Sequence, residues 1–192
     1  MTDLNLQLFH WINLDPRALP LWFWLARFAS TFLPSALLVV FTGVLCWRDE
    51  VLRRRMLRVL LAMLLAWGVA RGLSAGWPVP RPFVLGLGHQ WLDHKPTPSF
   101  PSSHASVAFA FGLTLWRLIR QPVARWVPLL LALLVAWSRI ALGLHFPADV
   151  VAGAVVGGLG AWVALRGLVP HVPQAVLQTS PGRTMKNPAR VA

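Results

Sequence analysis

Long apolar stretches separated by short polar segments run along this chain, and their lengths predict membrane-spanning helices. A helix needs about 20 mostly apolar residues to cross a hydrocarbon core of about 30 Å. Five stretches approach this length, at residues 21–47, 57–77, 103–119, 126–144 and 149–169. Residues 4–14 are too few to cross, and we predict an interfacial helix or a short re-entrant element there. The pattern therefore predicts five to six transmembrane or membrane-embedded helices.

The composition agrees with a membrane protein. Hydrophobic residues make up 56% of the 192 residues and charged residues only 12%, whereas soluble domains carry about 25% charged residues. We predict an all-α, polytopic membrane helical bundle, with a single membrane-embedded domain over residues 1–172. Residues 173–192 contain Pro, Ser, Thr and Gly but no long apolar run, and we expect a disordered cytoplasmic tail.

The distribution of basic residues predicts the orientation of the bundle. The net charge is +12, and most bases lie in clusters at residues 48–58, 117–125 and 166–190. Cytoplasmic loops are enriched in Lys and Arg, which assigns all three clusters to the cytoplasmic side. Residues 78–102 and 145–148 then lie on the opposite face. No nucleic-acid motif accompanies the charge, so nucleic acid is not expected as a partner.

The loop at residues 78–102 ends in a polar helix start. Six prolines between Pro78 and Pro101 exclude a continuous helix. The loop then reads Ser102-Ser103-His104 directly before the third apolar stretch, so we expect Ser102 or Ser103 to cap a helix. The free N–H groups of such a helix start attract anions. An ordinary cap without a ligand is the simpler interpretation of the two serines alone.

A second polar group lies where the fourth apolar stretch meets the fifth. Ser138-Arg139 is followed after five residues by His145, and Asp149 comes four residues later. In a helix this spacing brings the carboxylate alongside the imidazole, where it can hold one ring N–H and leave the other nitrogen free. Asp149 could equally well only cap the helix. Arg139 near the membrane is energetically costly unless it is paired or hydrated, which favours a functional role.

Together these segments place five reactive or charged side chains on the same face of the bilayer: Arg81, His104, Arg139, His145 and Asp149. Two arginines and a helix start can bind an oxyanion, one histidine can attack phosphorus, and the other can protonate the leaving oxygen. The set predicts phosphate chemistry. Because the chain has no His-Glu-x-x-His motif and only one cysteine, no metal and no other cofactor is expected.

These residues resemble the type-2 phosphatidic acid phosphatase superfamily, whose signature is Lys-x6-Arg-Pro, Pro-Ser-x-His and Ser-Arg-x5-His-x3-Asp. The chain has Arg81-Pro82, Pro101-Ser102-Ser103-His104, and Ser138-Arg139 with His145 and Asp149. The resemblance implies that His145 attacks phosphorus, that Asp149 orients His145, and that His104 protonates the leaving group and then activates water. The remaining residues implied in phosphate binding are Arg81, Ser102, Ser103 and Arg139.

The first part of the signature departs from the pattern. Ser74 occupies the position where the superfamily has lysine, so one phosphate-binding cation is missing from its usual place. Arg71 lies about one helical turn earlier, and its long side chain could reach the same pocket. It could equally well extend toward the lipid headgroups.

Within the superfamily the chain is similar to bacterial undecaprenyl-diphosphate phosphatases of the bacitracin-resistance type, through its small size, Asn5-Leu6-Gln7-Leu8-Phe9, Arg81-Pro82-Phe83 with His94, and Ala136-Trp137-Ser138-Arg139. This similarity implies that the partner is a polyprenyl or other lipid phosphate, and that the protein hydrolyses undecaprenyl diphosphate to undecaprenyl phosphate and phosphate. The reaction would pass through a phosphohistidine at the outer face of the bacterial inner membrane and recycle the lipid carrier for cell-wall polymers. Phosphatidic acid, phosphatidylglycerol phosphate or lipid A are alternative substrates, and a non-catalytic lipid or anion carrier is an alternative of another class. Membrane lipids are the expected surroundings, and the oligomeric state stays open.

Overall fold

The structure, a computed structural model, describes residues 2–45 and 49–166. The expected tail at residues 173–192 lies outside these residues, as do the ends of the first and last predicted spans. All regular elements in the described ranges are helical. They are α1 (Asp3–Ile12), α2 (Pro20–Arg27), a π-helical turn (Phe28–Phe32), α3 (Leu33–Leu45), α4 (Glu50–Gly76), a 3₁₀ turn (Pro82–Leu85), α5 (Ser103–Leu118), α6 (Trp126–Ala141) and α7 (Pro147–Arg166).

Because α2, the π turn and α3 follow one another without a break, the described residues form six helices, which confirms the predicted all-helical bundle. Three are long and apolar enough to cross a membrane, namely Pro20–Val44, Glu50–Gly76 and Pro147–Arg166. Helices α5 and α6 have 16 residues each and are about 24 Å long at 1.5 Å per residue. Helix α1 has only ten residues, which is too short to cross.

The π turn in the first membrane helix has a visible cause. Pro34 lacks the N–H that would donate to the carbonyl of Ser30 in a regular α-helix, and its ring crowds that carbonyl. The helix widens instead, and the N–H of Leu33 donates to the carbonyl of Phe28, five residues earlier. A single π turn of this kind accommodates one disrupted position without ending the helix.

Small residues bring α7 into backbone contact with α5 and α4. A Cβ added at Gly157 would lie 2.5 Å from the carbonyl oxygen of Ser106 on α5, and one at Gly160 would lie 2.8 Å from that of Ala62 on α4. Glycine at these two positions is required by the close approach, as in other membrane helix pairs. Helix α5 consequently lies at the centre of the bundle, against α4, α6 and α7.

Helix α1 packs across the end of the bundle where α6 and α7 meet. Phe9 is fully buried and contacts Phe146, with ring centroids 5.3 Å apart. The side chain of Asn5 accepts a hydrogen bond of 2.9 Å from the N–H of Ala148, in the first turn of α7. Asn13 donates to the carbonyl of Ala141 at the end of α6, at 3.1 Å. This short helix therefore supports the loop that carries His145.

Candidate active site

The polar residues singled out from the sequence gather at the end of the bundle where α4 finishes and α5 and α7 begin. Arg81 follows α4, His104 is the second residue of α5, Arg139 lies in the last turn of α6, and Asp149 lies in the first turn of α7. His145 precedes α7 by two residues. Side chains from positions 81, 139, 145 and 149 are all at least 94% buried. Burial of so many polar groups among apolar helices requires partners.

The His145 imidazole is held through its Nδ1 side. The carboxylate oxygen Oδ2 of Asp149 lies 3.6 Å from His145 Nδ1, and the Ser99 hydroxyl, 3.3 Å from Nδ1, donates its proton to the same carboxylate oxygen. The N–H of Phe146 also donates to Asp149 Oδ2, at 2.9 Å. Because the hydroxyl proton of Ser99 is directed to the carboxylate, the lone pairs of the Ser99 oxygen can accept a hydrogen bond from the N–H at Nδ1. The network thus favours the tautomer that carries its proton on Nδ1.

The other ring nitrogen of His145 faces Arg81. Arg81 Nη1 lies 3.0 Å from His145 Nε2, and a guanidinium can only donate. Nε2 must therefore be the unprotonated nitrogen, with its lone pair available as a nucleophile. Burial lowers the pKa of His145 to about 4, and Asp149 opposes this shift while Arg139 and Arg81 add to it. The imidazole is consequently neutral at pH 7.

Protein acceptors surround the Arg81 guanidinium. Its Nε donates to the carbonyl of Thr97 at 2.8 Å, and Nη1 also donates to the carbonyl of Leu144 at 2.9 Å. Nη2 donates to the Thr97 hydroxyl and to the carbonyl of Pro98, both at 3.3 Å. Burial lowers the pKa of Arg81 to about 10, against an opposing effect of Asp149, so the side chain stays charged at pH 7. Arg81 therefore links the proline-rich loop to the segment that holds His145.

Arg139 is buried but only partly paired. Its Nη1 donates to the hydroxyl of Ser30, in the π turn of the first membrane helix. Its Nε and Nη2 have no hydrogen-bond partner in the part of the chain that the structure describes. Buried donors without partners are unfavourable, so these two nitrogens are suited to an anionic ligand.

The two serines before His104 have different positions: Ser102 caps helix α5, and Ser103 lines a cavity. Ser102 is fully buried and is the N-cap of α5, with its hydroxyl 3.5 Å from the N–H of Ala105. Its own N–H donates to the carbonyl of Asp149 at 3.0 Å, which joins the starts of α5 and α7. Ser103 and His104 line a cavity of about 320 Å³ whose other lining residues are apolar and come from α3 to α6.

Ser74, which stands where the superfamily signature has lysine, brings no positive charge to the site. The buried hydroxyl of Ser74 donates to the carbonyl of Phe100 at 2.9 Å, and so ties α4 to the proline-rich loop. Arg71 is exposed on α4 and has no hydrogen bond or ion pair with any described residue. The structure brings Arg81, Ser102, Ser103, His104, Arg139, His145 and Asp149 together, and it leaves Arg71 outside this group.

Three residues of the site were missed from the sequence: Ser30, Thr97 and Ser99. Ser99 precedes the Pro-Ser-x-His motif by only two residues, so proximity to the motif was a usable signal. The Thr97 carbonyl acts through the backbone, which residue identity does not reveal. Ser30 had an indirect signal, because Pro34 disrupts the helix at the carbonyl of Ser30. Among the described residues, no group of three or more His, Cys, Asp and Glu side chains is arranged to hold a metal ion.

Comparison with known proteins agrees with this geometry. Residues 55–171 match the PAP2 superfamily. YbjG of Escherichia coli (strain K12), named as a candidate undecaprenyl-diphosphatase, is 31% identical over 162 residues, which are 83% of this chain and 80% of YbjG. The undecaprenyl-diphosphatase BcrC of Bacillus subtilis (strain 168) is 38% identical over 77 residues, which are 40% of this chain and 39% of BcrC.

A solved structure shows the same fold. The crystal structure of Aquifex aeolicus LpxE matches with a TM-score of 0.74 and 27% sequence identity, over 86% of this chain and 97% of LpxE. The resemblance drawn from the three sequence motifs and the helical membrane fold are thereby confirmed. The chain is a multi-pass membrane protein and a metal-independent lipid phosphatase, and it belongs to the PAP2 superfamily.

Proposed function

We propose that this phosphatase hydrolyses undecaprenyl diphosphate to undecaprenyl phosphate and inorganic phosphate, at the non-cytoplasmic face of a bacterial inner membrane. The observation that carries the proposal is the state of His145, a buried neutral imidazole with Nδ1 held beside Asp149 and Nε2 in acceptor form. The similarity to YbjG and BcrC supports the choice of a polyprenyl diphosphate among lipid phosphates.

In the first half of the proposed reaction, His145 Nε2 attacks the terminal phosphorus. A nitrogen–phosphorus bond forms as the bond from phosphorus to the bridging oxygen breaks, and undecaprenyl phosphate leaves after His104 donates a proton to that oxygen. The phosphohistidine carries positive charge on the ring, which the Asp149 carboxylate stabilises. Arg81, which contacts Nε2 in the structure, must exchange this contact for an oxygen of the phosphoryl group.

In the second half, His104 accepts a proton from water as the water oxygen attacks phosphorus. The nitrogen–phosphorus bond breaks, and inorganic phosphate leaves a neutral His145. Arg139 contributes through Nε and Nη2, the two donors that lack protein partners in the described chain. The N–H groups at the start of α5, including those of Ser103 and His104, are further donors for the phosphoryl oxygens. Positioning and charge stabilisation supply most of the rate enhancement in such reactions.

The cavity beside His104 supports a lipid substrate. It has a volume of about 320 Å³, and apart from Ser103 and His104 its lining is apolar, with Trp67 and Phe111 among the larger side chains. An apolar space next to the proposed proton donor can hold the first part of a hydrocarbon chain while the phosphates reach the polar cluster.

The distribution of charge supports the proposed orientation. The site lies at the C-terminal end of α4, a helix of 27 residues, whereas Arg53 and Arg54 lie near its N-terminal end. Arg117 and Arg125 flank the connection between α5 and α6, which is also at the end opposite to the site. Positive residues favour the cytoplasmic side, so the site would open to the periplasm or the exterior.

A direct comparison of substrates tests the proposed specificity. Purified protein is assayed for phosphate release from undecaprenyl diphosphate, phosphatidylglycerol phosphate, phosphatidic acid and lipid A in the same detergent. We expect the highest kcat/KM with undecaprenyl diphosphate. Equal or faster turnover of one of the other three lipids would overturn the choice of substrate and leave the phosphatase chemistry intact.

A further inference from the structure

One hydrogen bond connects the first membrane helix to the active site. Arg139 Nη1 on α6 donates to the hydroxyl of Ser30, although the two residues are 109 positions apart in the chain. Both side chains are buried, with 5% of Ser30 and 3% of Arg139 exposed. The superfamily match begins at residue 55, so this helix contributes to the site from outside the matched region.

The π turn explains how Ser30 comes to face α6. Ser30 is the central residue of the turn Phe28–Phe32, which forms because Pro34 cannot donate to the Ser30 carbonyl. The first membrane helix exposes several large apolar residues, including Trp24 before the turn, Phe28 and Phe32 at its two ends, and Val39 after it. Ala29 and Ser30, by contrast, are buried. The turn therefore directs the Ser30 side chain inward, toward α6.

The geometry of the guanidinium gives this contact its importance. Ser30 is the hydrogen-bond partner of Nη1, and Nε and Nη2 have none among the described residues. Nε and Nη2 form one edge of the planar group, with two parallel N–H bonds that match two oxygens of a phosphoryl group. Since the group is rigid, holding Nη1 also sets the direction of the opposite, unpaired edge.

We propose that Ser30 is a positioning residue that orients Arg139 so that its Nε and Nη2 edge receives the phosphoryl group. The inference rests on the phosphate-binding role proposed above for Arg139. It makes the first membrane helix part of the catalytic apparatus, in addition to its place in the wall of the lipid cavity, where Pro34 and Phe41 lie.

Substitutions of Ser30 that separate hydrogen bonding from packing test this role. Ser30→Thr keeps an acceptor hydroxyl, whereas Ser30→Cys keeps a similar size with a weak acceptor, and Ser30→Ala removes the acceptor. Ser35→Ala is the matched control, because the Ser35 hydroxyl is exposed and donates to the carbonyl of Thr31 on the same helix.

We expect kcat/KM for undecaprenyl diphosphate to fall about 10- to 100-fold in Ser30→Ala and Ser30→Cys, as for loss of a hydrogen bond to a charged group. Most of the loss should appear in kcat, because the Arg139 contact to the phosphoryl group tightens in the transition state. Ser30→Thr and the Ser35→Ala control should stay within about threefold of the wild-type protein. A Cys variant as active as Thr would indicate packing alone and would overturn the inference.

A double-mutant cycle with Arg139→Lys shows whether Ser30 acts through Arg139. In the Arg139→Lys background, Ser30→Ala should change kcat/KM and inhibition by orthovanadate by less than about threefold, because the guanidinium that Ser30 orients is gone. If Ser30→Ala lowers kcat/KM by the same factor in the wild-type protein and in Arg139→Lys, Ser30 does not act through Arg139 and the inference is contradicted. If Arg139→Lys itself keeps wild-type kcat/KM, the proposed phosphate-binding role of Arg139 is wrong. If Arg139→Lys is inactive but Ser30→Ala keeps wild-type kcat/KM, only the positioning role of Ser30 is wrong.

Discussion

The two arginines of the site are buried to a similar degree but differ in how the protein satisfies them. Arg81 donates to two loop carbonyls, to the Leu144 carbonyl, to a threonine hydroxyl and to His145 Nε2. Arg139 donates to Ser30 and leaves Nε and Nη2 without a partner among the described residues. A fully paired arginine stabilises the fold, while a partly paired one keeps donors for a ligand.

This difference separates two tasks that the sequence motifs alone present as one. Arg81 connects the proline-rich loop with the His145 segment, so it contributes to the structure even before substrate binds. Arg139 gains little from its protein surroundings. Substitutions at the two positions should therefore affect folding and catalysis in different proportions.

The largest effect is expected at His145, the residue that both arginines flank. His145→Ala removes the proposed nucleophile and should lower kcat on the order of 10⁴-fold or more, as expected for a reaction that passes through a covalent intermediate. Phosphate release by the purified variant measures it, with the exposed His10→Ala as a matched control. Normal turnover by His145→Ala would exclude a phosphohistidine on this residue. A wild-type protein that binds lipid phosphate without releasing phosphate would favour the carrier alternative.

Conservative substitution of each arginine tests whether Arg81 and Arg139 differ in their contributions to stability and to catalysis. Arg139→Lys should lower kcat/KM on the order of 100-fold with little change in thermal stability, because the lost edge of the guanidinium has no protein partner. Arg81→Lys should lower both kcat/KM and stability, the latter by about 2–4 kcal/mol, since several buried acceptors lose their donor. Thermal unfolding in detergent and phosphate release are measured on both variants. Equal destabilisation of the two would remove the distinction.

Ser99→Ala weakens the arrangement on the His145 side. The hydroxyl donates to Asp149 Oδ2 and lies 3.3 Å from His145 Nδ1, so its loss should lower kcat about tenfold through poorer orientation of the imidazole. Ser106→Ala is the matched control, because Ser106 is equally buried and its hydroxyl donates to a backbone carbonyl, that of the N-cap Ser102, and not to Asp149. Similar losses of kcat in both variants would indicate general packing.

The smallest expected effect is the dependence of thermal stability on pH. Burial lowers the pKa of His145 to about 4, from about 6.5 in an unfolded chain. Between these values the unfolded chain binds a proton that folded His145 does not, so the contribution of His145 makes the protein less stable as pH falls from about 6.5 to 4. The thermal midpoint should therefore fall more steeply over this range in the wild-type protein than in His145→Gln. Parallel pH profiles would contradict the lowered pKa.

Much of the fold was predictable from the sequence, because long apolar stretches have few stable forms in a membrane other than helices. The positions of α6 and α7 follow the hydrophobic pattern within a few residues. Helix α4 ends at Gly76, close to the predicted end, but it begins at Glu50, seven residues before the predicted span 57–77. Helix α5 begins at Ser103, as expected from the serines before His104. The prediction for residues 4–14 left two possibilities, and the structure shows a short helix packed on the loops at the end of the bundle that carries the site, because Phe9 fits beside Phe146.

The site was predictable where fixed spacing carries the chemistry and unpredictable where distant segments meet. The spacing of His145 and Asp149 placed the two side chains at the start of one helix. Nothing local to Ser30 indicates that it contacts a residue 109 positions away. The substitution of lysine by Ser74 was visible, but its consequence was not, because the hydroxyl acts on the carbonyl of Phe100 in a loop. Arg71 stays on the exposed side of α4.

The contact between α5 and α7 has a mechanical consequence. The N–H of Ser102 donates to the carbonyl of Asp149, and the carbonyl of Ser102 lies 2.7 Å from where a Cβ of Gly153 would be. His104 and His145 thus lie next to two backbone segments, at the starts of α5 and α7, that are in direct contact. When the bilayer thins or lateral pressure changes, these helices should tilt as a single body, so the separation of the proposed proton donor and the proposed nucleophile stays constant while the lipid surroundings vary.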